Sequence, residues 1–75
     1  MQDMFLGTED LVALHSQVSE LQRAIAHQGR VLAELRRLGE PTVLAEKFLA
    51  RLQTRLVERQ VRLDNLTRHA ANENE

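Results

Sequence analysis

Apolar residues recur along the chain at alternating spacings of three and four. Such spacing keeps a narrow stripe on one side of a helix wound at about 3.5 residues per turn, as in coiled coils. The stripe stops at a break over residues 39–42 and then resumes. The pattern therefore predicts an all-α chain that folds as an antiparallel helical hairpin, with helices over residues 8–38 and 42–68. We assign to the core seam or to a dimer contact Leu11, Leu14, Val18, Leu21, Ile25, Gln28, Leu32, Leu35, Phe48, Leu49, Leu52, Leu56, Leu63 and Leu66.

Local signals mark the ends of both helices. Thr8 precedes two acidic residues and predicts a helix start, because its hydroxyl accepts from a free N–H and acids favour the positive helix end. Gly39 suits the left-handed position just after the first helix. The second helix starts either with Pro41 in its first turn or after Pro41 with Thr42 as cap. Residues 1–7 are then a short N-terminal segment, and residues 69–75 a frayed polar tail.

Folding the chain at residue 40 predicts the register of the two stripes. Positions whose numbers sum to about 81 then face each other across the hairpin, and nearly every pair is apolar. These pairs are Leu32 with Leu49, Ile25 with Leu56, Val18 with Leu63 and Leu14 with Leu66.

The apolar surface is wider than one hairpin can cover. A broad apolar face is typical of a helix with two neighbours. Seventy-five residues without cysteine also form a small core and no disulfide, so self-association is the expected supplement. We therefore expect a homodimer in which two hairpins form a four-helix bundle. The additional apolar residues are Ala24, Val31, Leu38, Leu44, Phe48, Val57 and Val61.

The turn region carries a recognisable arrangement of apolar, glycine and cap positions. It consists of Gln28, Val31, Leu32, Leu35, Gly39, Thr42 and Ala45. This arrangement resembles the turn of short, uncharacterised helical proteins of bacteria, which implies the same hairpin and no known activity. In size and plan the chain also resembles the Rop regulators of plasmid copy number, dimeric hairpins that bind RNA, although their motifs are not evident here.

Charge points to one alternative function. The net charge is −1, yet basic residues recur along both helices. They form two stripes, Arg23, Arg30 and Arg37 on the first helix and Lys47, Arg51 and Arg55 on the second. We interpret the stripes as a solvated face, with contacts to nucleic acid or another acidic partner as the disfavoured alternative. Local pairing at i+3 or i+4 is expected for Glu20–Arg23, Arg30–Glu34, Glu34–Arg37, Arg55–Glu58, Glu58–Arg62 and Asp64–Arg68.

Three residues interrupt the regular pattern. Gln28 in the seam either specifies register and a partner chain or finds a hydrogen-bond partner within the hairpin. Arg59, also in the seam, is expected to extend its charged head to solvent along an apolar stem. Gly29 either permits a close approach of helices or lies on an exposed flank.

The sequence offers no catalytic or cofactor site, and we expect a non-catalytic protein-interaction or structural module. The histidines have no metal-site spacing, so no metal or cofactor is expected. Residues 4–6 are apolar and either pack onto Val12 or dock another protein. No stretch has the length of a membrane span or the pattern of a secretory signal, so we expect a cytoplasmic protein without a membrane partner.

Overall fold

The computed structural model describes residues 2–73, with side chains for residues 11–69. Helix α1 spans Gln2–Leu38 and helix α2 spans Val43–Glu73. The two helices pack along each other as a hairpin with dimensions of 56 × 17 × 14 Å. The predicted all-α hairpin is confirmed.

Helix α1 begins earlier than its sequence signals indicate. It starts at Gln2, so the start predicted at Thr8 is wrong and Thr8 lies inside the helix. Residues 2–6 include Gln, Met and Leu, which are good helix formers, and Gly7 alone opposes them strongly. The expected packing of residues 4–6 onto Val12 lies outside the described side chains.

Helix α2 ends later than predicted. It continues to Glu73, through five residues of the segment assigned to a frayed tail. Ala70 and Ala71 are the best helix formers, and neither Gly nor Pro follows Pro41 to stop the helix. Residues 74–75 lie outside the described chain.

The end of α1 is a Schellman motif. Gly39 has φ +71°, the left-handed conformation in which a Cβ is strained. Its N–H donates to Arg36 O at 3.1 Å, and Glu40 N–H donates to Leu35 O at 2.9 Å. Both bonds satisfy carbonyls that the ending helix leaves free. The predicted role of Gly39 is confirmed.

Thr42 is the N-cap of α2. Its carbonyl accepts the first helical hydrogen bond, from Glu46 N–H at 2.9 Å, while its own backbone is outside the helix. Pro41 therefore precedes the cap rather than occupying the first turn. The Thr42 hydroxyl donates to Glu46 Oε2 at 3.4 Å, which joins the cap to the first turn of α2.

The register of the hairpin differs from the prediction by about one helical turn. Gln28 Nε2 donates to Ala45 O at 3.1 Å. In the predicted register these residues lie about 12 Å apart along the axis, beyond the reach of a glutamine side chain. Gln17 and Leu21 border one groove with Arg59 and Arg55, so residues whose numbers sum to roughly 76 lie beside each other. The shift arises between Leu38 and Val43, since the four residues outside the helices are long enough to start α2 about one turn back along α1.

Candidate functional site

The seam forms a thin core. Among the described side chains, the apolar ones buried to nine-tenths or more are Leu14, Leu32 and Leu52. The other apolar residues assigned to the seam are partly buried, apart from Phe48, and Ala45 is partly buried with them. The assigned residues in this class are Leu11, Val18, Leu21, Ile25, Leu35, Leu49, Leu56, Leu63 and Leu66.

Gln28 is the buried polar residue of the seam. It is 8% exposed, and its amide donates to the carbonyl of Ala45 on the other helix. Ala45 carries only a methyl group, so its backbone is accessible to a side chain from α1. Of the two hypotheses for Gln28, the structure agrees with the one in which Gln28 finds a hydrogen-bond partner within the hairpin. Since this bond forms in one register, it also specifies how the helices align.

The other two irregular positions differ from Gln28. Arg59 is partly buried and borders a groove, which fits a charged head carried along an apolar stem. Gly29 is exposed, and a Cβ built there meets no atom within 4 Å. Within a single hairpin, Gly29 is therefore not required for the approach of the two helices.

A large apolar area remains uncovered. Phe48, one of the residues that widen the apolar face, lies outside the core and is 50% exposed. The chain exposes 6202 Å², about a third more than the roughly 4,700 Å² expected for a compact monomer of its mass. The large apolar side chains that are at least half exposed are Val12, Leu38, Val43, Leu44, Phe48, Val57 and Val61.

A shallow groove of about 410 Å³ runs between the helices, farther from the turn than Gln28. Leu21 and Ala24 form its apolar floor, and Glu20, Arg55 and Arg59 supply its charges. Glu20 and Arg55 border the same groove without forming an ion pair with each other. The groove therefore presents a carboxylate on the α1 side and guanidinium groups on the α2 side.

The basic stripes are exposed and mostly free of carboxylate partners. Arg37 donates to Glu34 through Nε, at 3.0 Å, and through Nη2. This contact lowers the pKa of the Glu34 carboxyl and raises the pKa of the Arg37 guanidinium. The other stripe residues have no carboxylate within 4.0 Å among the side chains of residues 11–69. They are Arg23, Arg30, Lys47, Arg51 and Arg55.

Most of the expected local ion pairs are absent from the described residues. Glu34–Arg37 and Asp64–Arg68 form. Glu34 uses both carboxylate oxygens on Arg37, which leaves Arg30 without this partner. Exposed pairs gain little free energy and restrict two long side chains, so four of the six predictions are wrong. The missing pairs are Glu20–Arg23, Arg30–Glu34, Arg55–Glu58 and Glu58–Arg62.

One ion pair was missed from the sequence. Arg36 Nη2 lies 3.4 Å from Glu46 Oε1, across the turn. These residues are ten apart and lie on different helices, so no helical spacing signals their contact. The pair depends on the Schellman motif and on the start of α2 at Val43.

Among the described residues, no group of three or more His, Cys, Asp and Glu side chains is placed to hold a metal ion. Over the same part of the chain, neither helix combines the length and apolar character needed to cross a bilayer. Comparison with protein-family models, curated proteins and solved structures gives no match to this chain.

Proposed function

We propose that this chain is a non-catalytic protein-interaction module that acts as a homodimer, two hairpins forming a four-helix bundle. The observation that carries the proposal is the imbalance between the thin core and the exposed apolar surface. Three apolar side chains are almost fully buried, whereas seven large ones in the described part of the chain are at least half exposed. Exposed apolar area on this scale marks an interaction surface.

The size of the hairpin supports the same conclusion. Domains of this length rarely obtain more than about 3–5 kcal/mol from one core, and disulfides are excluded by the absence of cysteine. A second copy buries the uncovered leucine and phenylalanine side chains at about 25 cal/mol for each Å² of apolar area. Dimerisation is therefore the additional source of stability that requires no other molecule than a second copy of this chain.

Sedimentation equilibrium over a hundredfold dilution tests the proposal. We expect a dimer that dissociates at the lowest concentrations, and a melting temperature that rises with protein concentration. A folded monomer with a constant melting temperature at every concentration would disprove the four-helix bundle.

Nucleic-acid binding is the second candidate function. It is favoured by the exposed cations Lys47, Arg51 and Arg55, which have no carboxylate partner in the described region. Aromatic stacking gives it no support, because the chain has neither Tyr nor Trp. We rank it second for this reason.

Fluorescence anisotropy at physiological salt distinguishes the two functions, with hairpin RNA and duplex DNA as probes. The interaction-module proposal predicts weak binding at low salt only, since each phosphate neutralised contributes about 0.9 to the salt slope on duplex DNA. Micromolar binding of hairpin RNA that is lost in Lys47→Glu/Arg51→Glu and kept in Asp64→Asn would instead favour RNA binding. The Asp64 variant changes charge near the far end of α2 and is the matched control.

A further inference from the structure

The side of the hairpin that carries the groove becomes apolar towards the turn. Ala24 and Arg55 border the groove near its middle. Residues seven apart lie on the same side of a helix, so Val31 and Leu38 continue the Ala24 side and Phe48 continues the Arg55 side. Leu44, one turn before Phe48, is 82% exposed. We call Val31, Leu38, Leu44 and Phe48 the turn patch.

We propose that the turn patch is the docking surface for a second copy of this chain, and that the two hairpins dock with their turns at the same end. This inference rests on the proposed homodimer and specifies its face and orientation. The partner is a second copy because the patch and the charges beside it are complementary to themselves in this orientation and in no full-length alternative.

The distribution of apolar side chains supports the orientation. The side of the hairpin that carries the groove is apolar near the turn, whereas Glu20, Arg55 and Arg59 border the groove farther away. With both turns at one end, the turn patch of one copy covers that of the other. With the turns at opposite ends, Phe48 of one copy faces Arg62 of the other, because each lies seven residues from Arg55, and burial of that charge without a partner is unfavourable.

The charges beside the groove support it independently. When the turns lie together, a twofold axis along the hairpin places α1 of one copy against α2 of the other. Because Glu20 and Arg55 lie at the same level, this arrangement brings Glu20 of one copy towards Arg55 of the other. When the turns are opposed, α2 of one copy lies against α2 of the other, and the twofold axis passes near the middle of the hairpin. Glu20 is the midpoint of α1, and Arg55 lies at its level, so the two copies of Arg55 meet near the axis. The first arrangement pairs opposite charges and the second opposes like charges.

The back of α2 is a weaker docking surface. Val43, Val57 and Val61 are more than half exposed there. Lys47 and Thr54 interrupt this valine stripe, and it lies on one helix only. The turn patch has contributions from both helices, so it buries more apolar area against the same patch of a second copy.

Distances between spin labels test the orientation, using the cysteine-free background of this chain. Glu40→Cys places a nitroxide on the exposed turn, and Ser19→Cys places one at an exposed position near the midpoint of α1. With the turns together, both labels give distances within about 35 Å, since a bundle two helices wide measures roughly 20–25 Å.

Each other outcome has a distinct meaning. A turn distance near the 56 Å length of the hairpin, with a short midpoint distance, shows opposed turns and overturns the orientation. A short turn distance with a long midpoint distance shows overlap of the turn ends alone and also overturns it. Absence of dipolar coupling at both positions shows that no dimer forms, and it overturns the proposed function itself.

Matched charge variants test the face. Phe48→Asp is expected to raise the dimer dissociation constant by about tenfold or more, because an unpaired carboxylate enters the apolar interface. Val57→Asp is the control, since nine residues at about 100° each place it half a turn around α2 at similar exposure. The face is wrong if Val57→Asp dissociates the dimer and Phe48→Asp does not. Circular dichroism on both variants verifies that the helices are retained.

Discussion

The half of the hairpin that contains the turn (residues 21–55, the turn half) differs from the remaining described residues (11–20 and 56–69, the open half) in how the helices are joined. In the turn half, Gln28 donates to Ala45 O and Arg36 pairs with Glu46 across the helices. In the open half, the described side-chain hydrogen bonds, such as Thr67 Oγ1 to Leu63 O, stay within one helix. There the helices are held together by apolar packing, with Leu14 as the buried residue.

This difference shows how one repeated pattern is given a unique alignment. A leucine stripe packs acceptably in several registers that differ by a turn, since apolar contacts are not directional. The Gln28 hydrogen bond and the closed turn discriminate between those registers because each requires particular atoms to meet. We infer that alignment is determined in the turn half and propagated along α1 and α2 to the open half.

The largest expected effects come from truncating the core in each half. Leu32→Ala and Leu14→Ala each remove a buried side chain, at a cost of about 2–5 kcal/mol. Leu32→Ala is expected to unfold much of the hairpin, because the loss is similar to the whole stability of a domain this small. Leu14→Ala is expected to unfold the open half locally, since the turn half remains folded through its own contacts.

Hydrogen exchange measured by mass spectrometry compares these two variants. We expect Leu14→Ala to accelerate exchange in residues 11–20 and 56–69 and to spare the turn half. Equal acceleration in both halves would show a single cooperative unit and would remove the distinction between them.

Two glycines of the turn half are expected to respond to alanine with opposite signs. Gly39→Ala strains a residue at φ +71° and is expected to destabilise by about 1–2 kcal/mol. Gly29→Ala is expected to stabilise by about 0.5–1 kcal/mol, because a helical Cβ there meets no atom within 4 Å. Thermal melts at one protein concentration measure both effects. A destabilising Gly29→Ala would indicate that another molecule approaches this flank.

Replacement of Gln28 tests whether its hydrogen bond serves alignment or stability. Gln28→Leu is expected to raise the melting temperature by a few degrees, because Ala45 O keeps its helical hydrogen bond and the new side chain is apolar. It is also expected to broaden the masses seen by light scattering, because alternative registers become accessible. A lower melting temperature with an unchanged mass would show instead that the bond mainly stabilises the hairpin.

The smallest expected effect concerns the exposed pair of Glu34 and Arg37. Arg37 lowers the pKa of Glu34 in the folded state from its ordinary value of 4.5. The pair therefore stabilises the fold above that value, and the stabilisation is lost as the pH falls through the lowered pKa. Glu34→Gln should melt slightly below the wild type at pH 7 and together with it in strongly acidic solution. A difference that persists in acid would contradict this origin.

The hairpin and its turn were predictable because their signals are local. The 3-4 spacing, the glycine at residue 39 and the alternative with Thr42 as cap each depend on neighbours within a few residues. The helix ends were predicted less well, since Thr8 resembles a cap and yet lies inside α1. A cap residue favours a helix start without preventing the helix from continuing through it.

The candidate docking surface was predictable only in part. The excess of apolar residues beside the seam indicated that a surface is left over, and the structure places Leu44 and Phe48 in that surface. The groove that carries Glu20 and Arg55, from which we infer that these residues share a side with Leu38, required the packing of α1 on α2. Spacing within one helix contains no information on which residues of the other helix lie beside it.

The sequence by itself determined that the chain forms two amphipathic helices with a glycine-terminated turn, because periodicity, propensity and capping act over a few residues. Only the tertiary structure decided the register, the Gln28–Ala45 hydrogen bond and the Arg36–Glu46 pair. Each of these depends on how far the four residues between the helices carry the chain back along α1. A difference of one turn in that path preserves the apolar stripe and changes every polar partner, so the local pattern is the same for both alignments.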